Sequence, residues 1–205
     1  MKRYELITLT FPIVALAQAL PRLRDQLTAP EAGGTLLGCW TSDIGTLNQV
    51  LVLRGYADAA ALDAERERVL LAADPFGVAE LLSDMRIETF APFPFMPPIQ
   101  PGEYGRFYEL RSYQLKHGEL APTIEAWRDA VGPRSAFSPL LGAMYALDGT
   151  TPRIFHLWPY QSLDARLQLR SDSVAQGAWP PKGGPARLLA MHSTIGLPTA
   201  FSPLK

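Results

Sequence analysis

Tyr4-Glu5-Leu6-Ile7-Thr8-Leu9 returns 104 residues later as Tyr108-Glu109-Leu110-Arg111-Ser112-Tyr113. Both stretches are rich in the aromatic and aliphatic residues that favour strands. The register continues without a gap: Leu36-Leu37-Gly38 falls on Leu140-Leu141-Gly142, Gly45-Thr46 on Gly149-Thr150, Leu53 on Leu157, Tyr56 on Tyr160 and Arg66 on Arg170. Residues 3–96 and 107–200 share about eighteen identities, where ordinary composition would give roughly six. The chain therefore reads as two copies of one unit.

Each copy has the same order of elements. After the first strand, Leu16, Leu20, Leu23 and Leu27 recur at the spacing of one helical face, and Leu120, Ile124, Trp127 and Val131 occupy the shifted positions. Pro122 suits a first helical turn, whereas Pro21 predicts a kink or a late helix start. Strands are expected over 36–41 and 140–146, then turns at Gly45 and Gly149 and return strands over 48–54 and 153–158. Helices over 59–71 and 163–174 precede closing strands over 85–90 and 188–194. This is β-α-β-β-α-β, the split βαβ arrangement of ferredoxin-like α+β folds. Both faces of the strands carry large apolar groups, so helices cover one face and a second sheet must cover the other. The expected organisation is one unit over 1–96, a Pro-rich linker over 97–106 and a second unit over 107–205, the two pairing within the chain. Five prolines between Ala91 and Gly102 stiffen the connection, and its aromatics are expected to pack on a neighbour.

A net charge of -1 supplies no broad field for polyanions, so nucleic acid is a poor partner. Cys39, the only cysteine, excludes an intrachain disulfide and fits a cytoplasmic location. Glu5 interrupts the first apolar stretch, and no run reaches the roughly 18 apolar residues of a membrane span. Phosphate-loop, zinc-helix, CxxC and nucleophile-elbow signatures are missing, so no cofactor and no metal site are expected.

Tyr108-Glu109-Leu110-Arg111-Ser112-Tyr113, followed by Leu115-Lys116-His117-Gly118, resembles the opening of a NIPSNAP domain. Leu37-Gly38-Cys39-Trp40 and Gly45-Thr46-Leu47-Asn48-Gln49-Val50, with Tyr56 beyond, resemble a second block of that family. The first copy lacks the opening Arg and second Tyr, having Ile7 and Leu9; the second has Met144 for the Trp and Pro152 for the Asn. The resemblance implies a dimeric α+β barrel, a superfamily that includes cofactor-independent monooxygenases, haem-handling proteins and isomerases. It implies no settled reaction.

Candidate chemistry gathers on the second copy. Glu109, Arg111 and Tyr113 alternate along one strand and so share a face. His156 and His192 lie on the strands flanking it, about 10 Å apart if they share that face. The catalytic reading takes an imidazole as general base, with Tyr113 or Arg111 stabilising charge on a substrate oxygen and Trp158 and Glu109 helping to bind the ligand. The structural alternative has satisfied histidines filling the sheet, a Glu109–Arg111 ion pair and packed tryptophans at 40, 127 and 158. His117 sits in a turn exposed to solvent, and Trp179–Pro185 forms either a pocket lid or an ordinary loop. The expected partner is a small apolar, oxygenated metabolite, handled by an oxygenase or isomerase. A noncatalytic interaction or scaffold role is the alternative, self-association stays open, and haem held by His156 or His192 is a further reading.

Overall fold

A computed structural model describes all residues, Met1–Lys205. The first repeat comprises β1 (Arg3–Thr10), α1 (Leu16–Leu27), β2 (Thr35–Ile44), β3 (Gln49–Tyr56), α2 (Ala59–Leu71) and β4 (Asp84–Pro92). The second comprises β5 (Phe107–Leu115), α3 (Leu120–Ser135), β6 (Gly142–Ala146), β7 (Arg153–Tyr160), α4 (Leu163–Ala175), the single turn α5 (Gly184–Arg187) and β8 (Leu188–Pro198). Both hairpins turn where expected: Gly45, Asn48 and Gly149 hold positive φ, which glycine and asparagine tolerate best. Asp58 and Ser162 cap α2 and α4 by accepting the backbone N–H groups of Ala61 and Ala165.

Every strand pair is antiparallel, in the closed order β1-β3-β2-β8-β5-β7-β6-β4. The seams between repeats are β2 with β8, where Trp40 lies opposite Pro198, and β4 with β6, where Phe90 lies opposite Ala146. Apolar inner faces that neither sheet could shelter alone thus meet inside one barrel. Tyr4, Leu6, Trp40, Leu53, Phe90, Tyr108, Leu110 and Leu157 fill it at one end. Trp40 folds back over its own strand: a Cβ on Gly38 would lie 2.0 Å from the indole, so only glycine fits there. Ile99 of the connector and Leu204 of the C-terminal segment plug this end, with Gly102 and Leu204 forming a bridge.

The helices cover the outside. Ala19, Leu23 and Leu27 of α1 pack on Ile7, Leu9, Val50 and Val52, while Trp127 of α3 packs with Tyr113, Ile154, Trp158 and the connector residue Phe93. Of the two outcomes expected at Pro21, a kink or a late start, the late start does not occur: α1 begins at Leu16 and contains Pro21. Ala17, whose carbonyl loses its N–H partner at Pro21, is exposed, so water can take the vacant acceptor. The last strand also departs from the simple repeat. Tyr4 faces Phe90 but Tyr108 faces Gly196, so β8 sits two residues beyond the 104-residue offset and His192 takes the place of Arg86. No helix is long and apolar enough to cross a membrane.

Candidate functional site

Register decides which side chains meet. On β5 and β7, Glu109 faces Trp158, Arg111 faces His156 and Tyr113 faces Ile154, so these groups share the outer face beneath α3 and α4. His192 is paired with Ser112, the residue between Arg111 and Tyr113, and therefore points to the inner face. The expectation of one pocket between both histidines is corrected here: the sheet separates them. Glu109, Arg111, Tyr113, His156 and Trp158 come together; His192 stands exposed at the barrel mouth.

His156 is only 1% exposed. Tyr113 and Trp127 meet its ring edge-on, with centroids 4.7 and 4.8 Å away. The Trp158 Nε1–H donates to Nδ1 at 2.6 Å, while Nε2 has no protein partner. Burial, reinforced by the nearby charges of Arg111, Arg170 and Arg134, pushes the imidazole pKa well below its usual value. The ring is therefore neutral. Because an indole can only donate, Nδ1 must carry the lone pair and Nε2 the proton. His156 thus presents a hydrogen-bond donor to anything beside it, rather than the lone pair of a general base. That polarity also opposes haem ligation, since an iron-binding Nε2 needs its own lone pair and ordinarily has a neighbour that accepts a proton from Nδ1.

A cavity of about 440 Å³ opens beside this ring. Arg111, Arg134 and Arg170 reach it, and Trp158, Trp179, Leu167 and Val174 supply apolar walls. Arg134 lies over the Trp158 ring at 4.3 Å and donates to Ser138 and Tyr160, but meets no carboxylate in the ion pairs of the chain. Its burial lowers its pKa. The one carboxylate of the cluster is the fully buried Glu109, which accepts from Arg111, Arg166 and the Ser193 hydroxyl, with Arg170 3.5 Å away. Burial alone would raise its pKa, but the Arg166 hydrogen bond, the Arg111 charge and the Ser193 bond outweigh that and hold it low. Arg111 also donates to the Tyr113 hydroxyl, whose pKa burial raises, so the phenol stays neutral. Three guanidinium groups thus surround one carboxylate, Arg134 adds a fourth that has no carboxylate partner, and the excess positive charge faces the cavity.

The first repeat lacks this arrangement. Ile7, Leu9, Leu23 and Val52 occupy the places of Arg111, Tyr113, Trp127 and His156 and are buried in apolar packing. Arg54 stands in place of Trp158 and binds Glu5 at 2.7 Å and Glu65 at 2.6 Å, so its charge is matched. Arg134, Arg166 and Arg170 are absent from the candidates read from sequence. Arg166 and Arg170 are spaced i, i+4 on a predicted helix, which puts them on one face, but nothing local shows that this face overlies Glu109.

Two ferredoxin-like units closing one eight-stranded antiparallel barrel make this a dimeric α+β barrel within a single chain. The profile of the NIPSNAP family matches residues 4–97 and again 108–203, and the chain belongs to that family. A NipSnap homolog from Dictyostelium discoideum is 26% identical over 182 residues, covering 87% of this chain and 78% of the relative. NipSnap homolog 2 of Danio rerio is 29% identical over 128 residues, covering 62% of this chain but 45% of its own length. A crystal structure from Lactobacillus acidophilus NCFM, named as a candidate monooxygenase, superposes with a TM-score of 0.70 at 11% identity, covering 97% of this chain and 94% of its own.

Proposed function

We propose that the second repeat binds a small, apolar, oxygenated metabolite beneath α4 and holds it as an oxyanion, in the manner of a cofactor-independent oxygenase or isomerase. The observation that carries this reading is the unpartnered Nε2–H of His156, buried at the floor of a cavity with three arginines and apolar walls. A buried donor without an acceptor is costly, and a ligand oxygen at that spot relieves the cost. Excess guanidinium charge in a half-dry pocket favours the ionised form of a phenol or enol, so an acidic substrate loses its proton to solvent as it binds. Tyr113 and Arg111 support the same oxygen, while Trp158 and Trp179 hold the apolar body. Such an anion is electron-rich at carbon: it can react with dioxygen as an oxygenase substrate or be reprotonated elsewhere as an isomerase substrate. The monooxygenase designation of the Lactobacillus protein makes oxygenation the first reaction to assay.

The test uses 4-nitrophenol, whose phenolate is yellow and whose phenol is not. At a pH below its free ionisation, wild-type protein should raise the phenolate absorbance in a saturable way, and His156→Leu and Arg170→Gln should abolish the rise. Absorbance unaffected by the protein, or equal in wild type and His156→Leu, contradicts the proposal. Oxygen uptake with a polycyclic hydroxyketone, compared with solvent deuterium exchange at its acidic carbon, then separates the two reaction classes.

A further inference from the structure

A second cavity, about 800 Å³, lies inside the barrel at the end opposite the Ile99–Leu204 plug. Corresponding residues of both repeats line it: Leu6 and Leu110 at its base, Thr8 and Ser112 above them. It is separated from the His156 pocket by the thickness of the sheet, because Ser112 and Arg111 point to opposite faces. Thr8 is 2% exposed, and its hydroxyl has no protein partner. The Ser112 hydroxyl accepts from Arg153 at 3.2 Å, which leaves its own proton free to donate. Two carboxylates line this wall, and Glu88 faces two guanidinium groups, Arg153 at 2.8 Å and Arg86 at 3.2 Å. The neighbouring Asp148 is already engaged by Arg66 and the Thr89 N–H. One positive charge is therefore unmatched, and the imidazole of His192 occupies the related position opposite Arg86.

Unused hydroxyl donors below and unmatched guanidinium charge above complement acceptor oxygens carrying negative charge. We propose that the barrel mouth is a second ligand site, shared between the repeats, that takes a small oxygen-rich anion of polycarboxylate or phosphate-ester type. It is independent of the pocket beneath α4, and the largely polar walls suit a ligand without a large apolar body. Arg86, whose side chain is 63% exposed, can turn inward onto such a ligand.

The three histidines report separate places: His117 an exposed turn, His156 the pocket beneath α4 and His192 the mouth. Their Cε1–H resonances are followed as the full chain is titrated with citrate and, separately, inorganic phosphate, against sodium chloride at matched ionic strength. The proposal predicts a saturable shift at His192 with one or both anions while His117 follows the chloride control. The midpoint should rise at least about fivefold in Arg86→Gln and in Thr8→Val, as expected for loss of one charged or buried hydrogen bond. A His192 shift no larger than that in chloride, or a wild-type midpoint in either variant, overturns it. Movement of His156 alone sinks the mouth site and leaves the proposal for the other pocket standing.

Discussion

Trp158→Phe keeps an aromatic ring beside Arg134 and removes the N–H that pins the tautomer of His156. The Nδ1 lone pair is then buried with no donor, and an unsatisfied buried acceptor costs about 1–3 kcal/mol. The smaller ring adds a void, and the weaker quadrupole reduces the attraction of Arg134, whose full value at such sites is about 0.5–2 kcal/mol. A total loss of about 2–4 kcal/mol in unfolding free energy is expected from urea denaturation. A double-mutant cycle with His156→Phe isolates the bond, because residues in contact couple by about 0.5–3 kcal/mol. A coupling near zero, or a Trp158→Phe loss under about 0.5 kcal/mol, refutes the assignment of the indole as the group that holds the imidazole.

Lowering the pH should destabilise the fold through His156. Its folded pKa is depressed, so below the unfolded value of about 6.5 the unfolded chain binds a proton that the native chain refuses, and stability falls by about 1.4 kcal/mol per pH unit until the folded pKa is reached. His156→Gln should lack that contribution, so the stability gap between the two proteins should narrow steadily from pH 6.5 downward in parallel denaturation curves; a constant gap contradicts it. Asp148→Ala removes the acceptor of the Thr89 N–H and one of the two carboxylate partners of Arg66, the other being Glu5, at the β4–β6 seam, and should cost about 1–3 kcal/mol by the same measurement. Cleavage near Pro98 should yield halves that reassociate or aggregate, since each exposes its half of the barrel interior; two stable monomers on a sizing column argue against the shared core.

The architecture was legible because duplication doubles every local signal. The helical face of Leu16, Leu20, Leu23 and Leu27 gains weight when Leu120, Ile124, Trp127 and Val131 repeat it, and Gly45 and Gly149 mark the same turn twice. The outer-face cluster was partly legible, since alternation alone puts Glu109, Arg111 and Tyr113 on one face. The placement of His192 was not. The choice of face depends on the parity of strand register, and nothing local in β8 shows that His192 pairs with Ser112 rather than with Arg111 or Tyr113; the two-residue displacement of β8 relative to β4 keeps the alternation and leaves the face unchanged. Arg134, Arg166 and Arg170 escaped for a different reason: tertiary packing, not local pattern, sets helices over a buried carboxylate. The base role read for His156 depended on a proton position, and only its contact with Trp158 fixes that.

The state of the His156 ring is therefore the quantity to measure. Nitrogen-15 NMR of the histidine-labelled chain at neutral pH should show a neutral ring protonated at Nε2, and this form should persist as the sample is acidified below the ordinary histidine pKa. A proton on Nδ1, or an imidazolium at neutral pH, contradicts the donor geometry on which the oxyanion pocket rests.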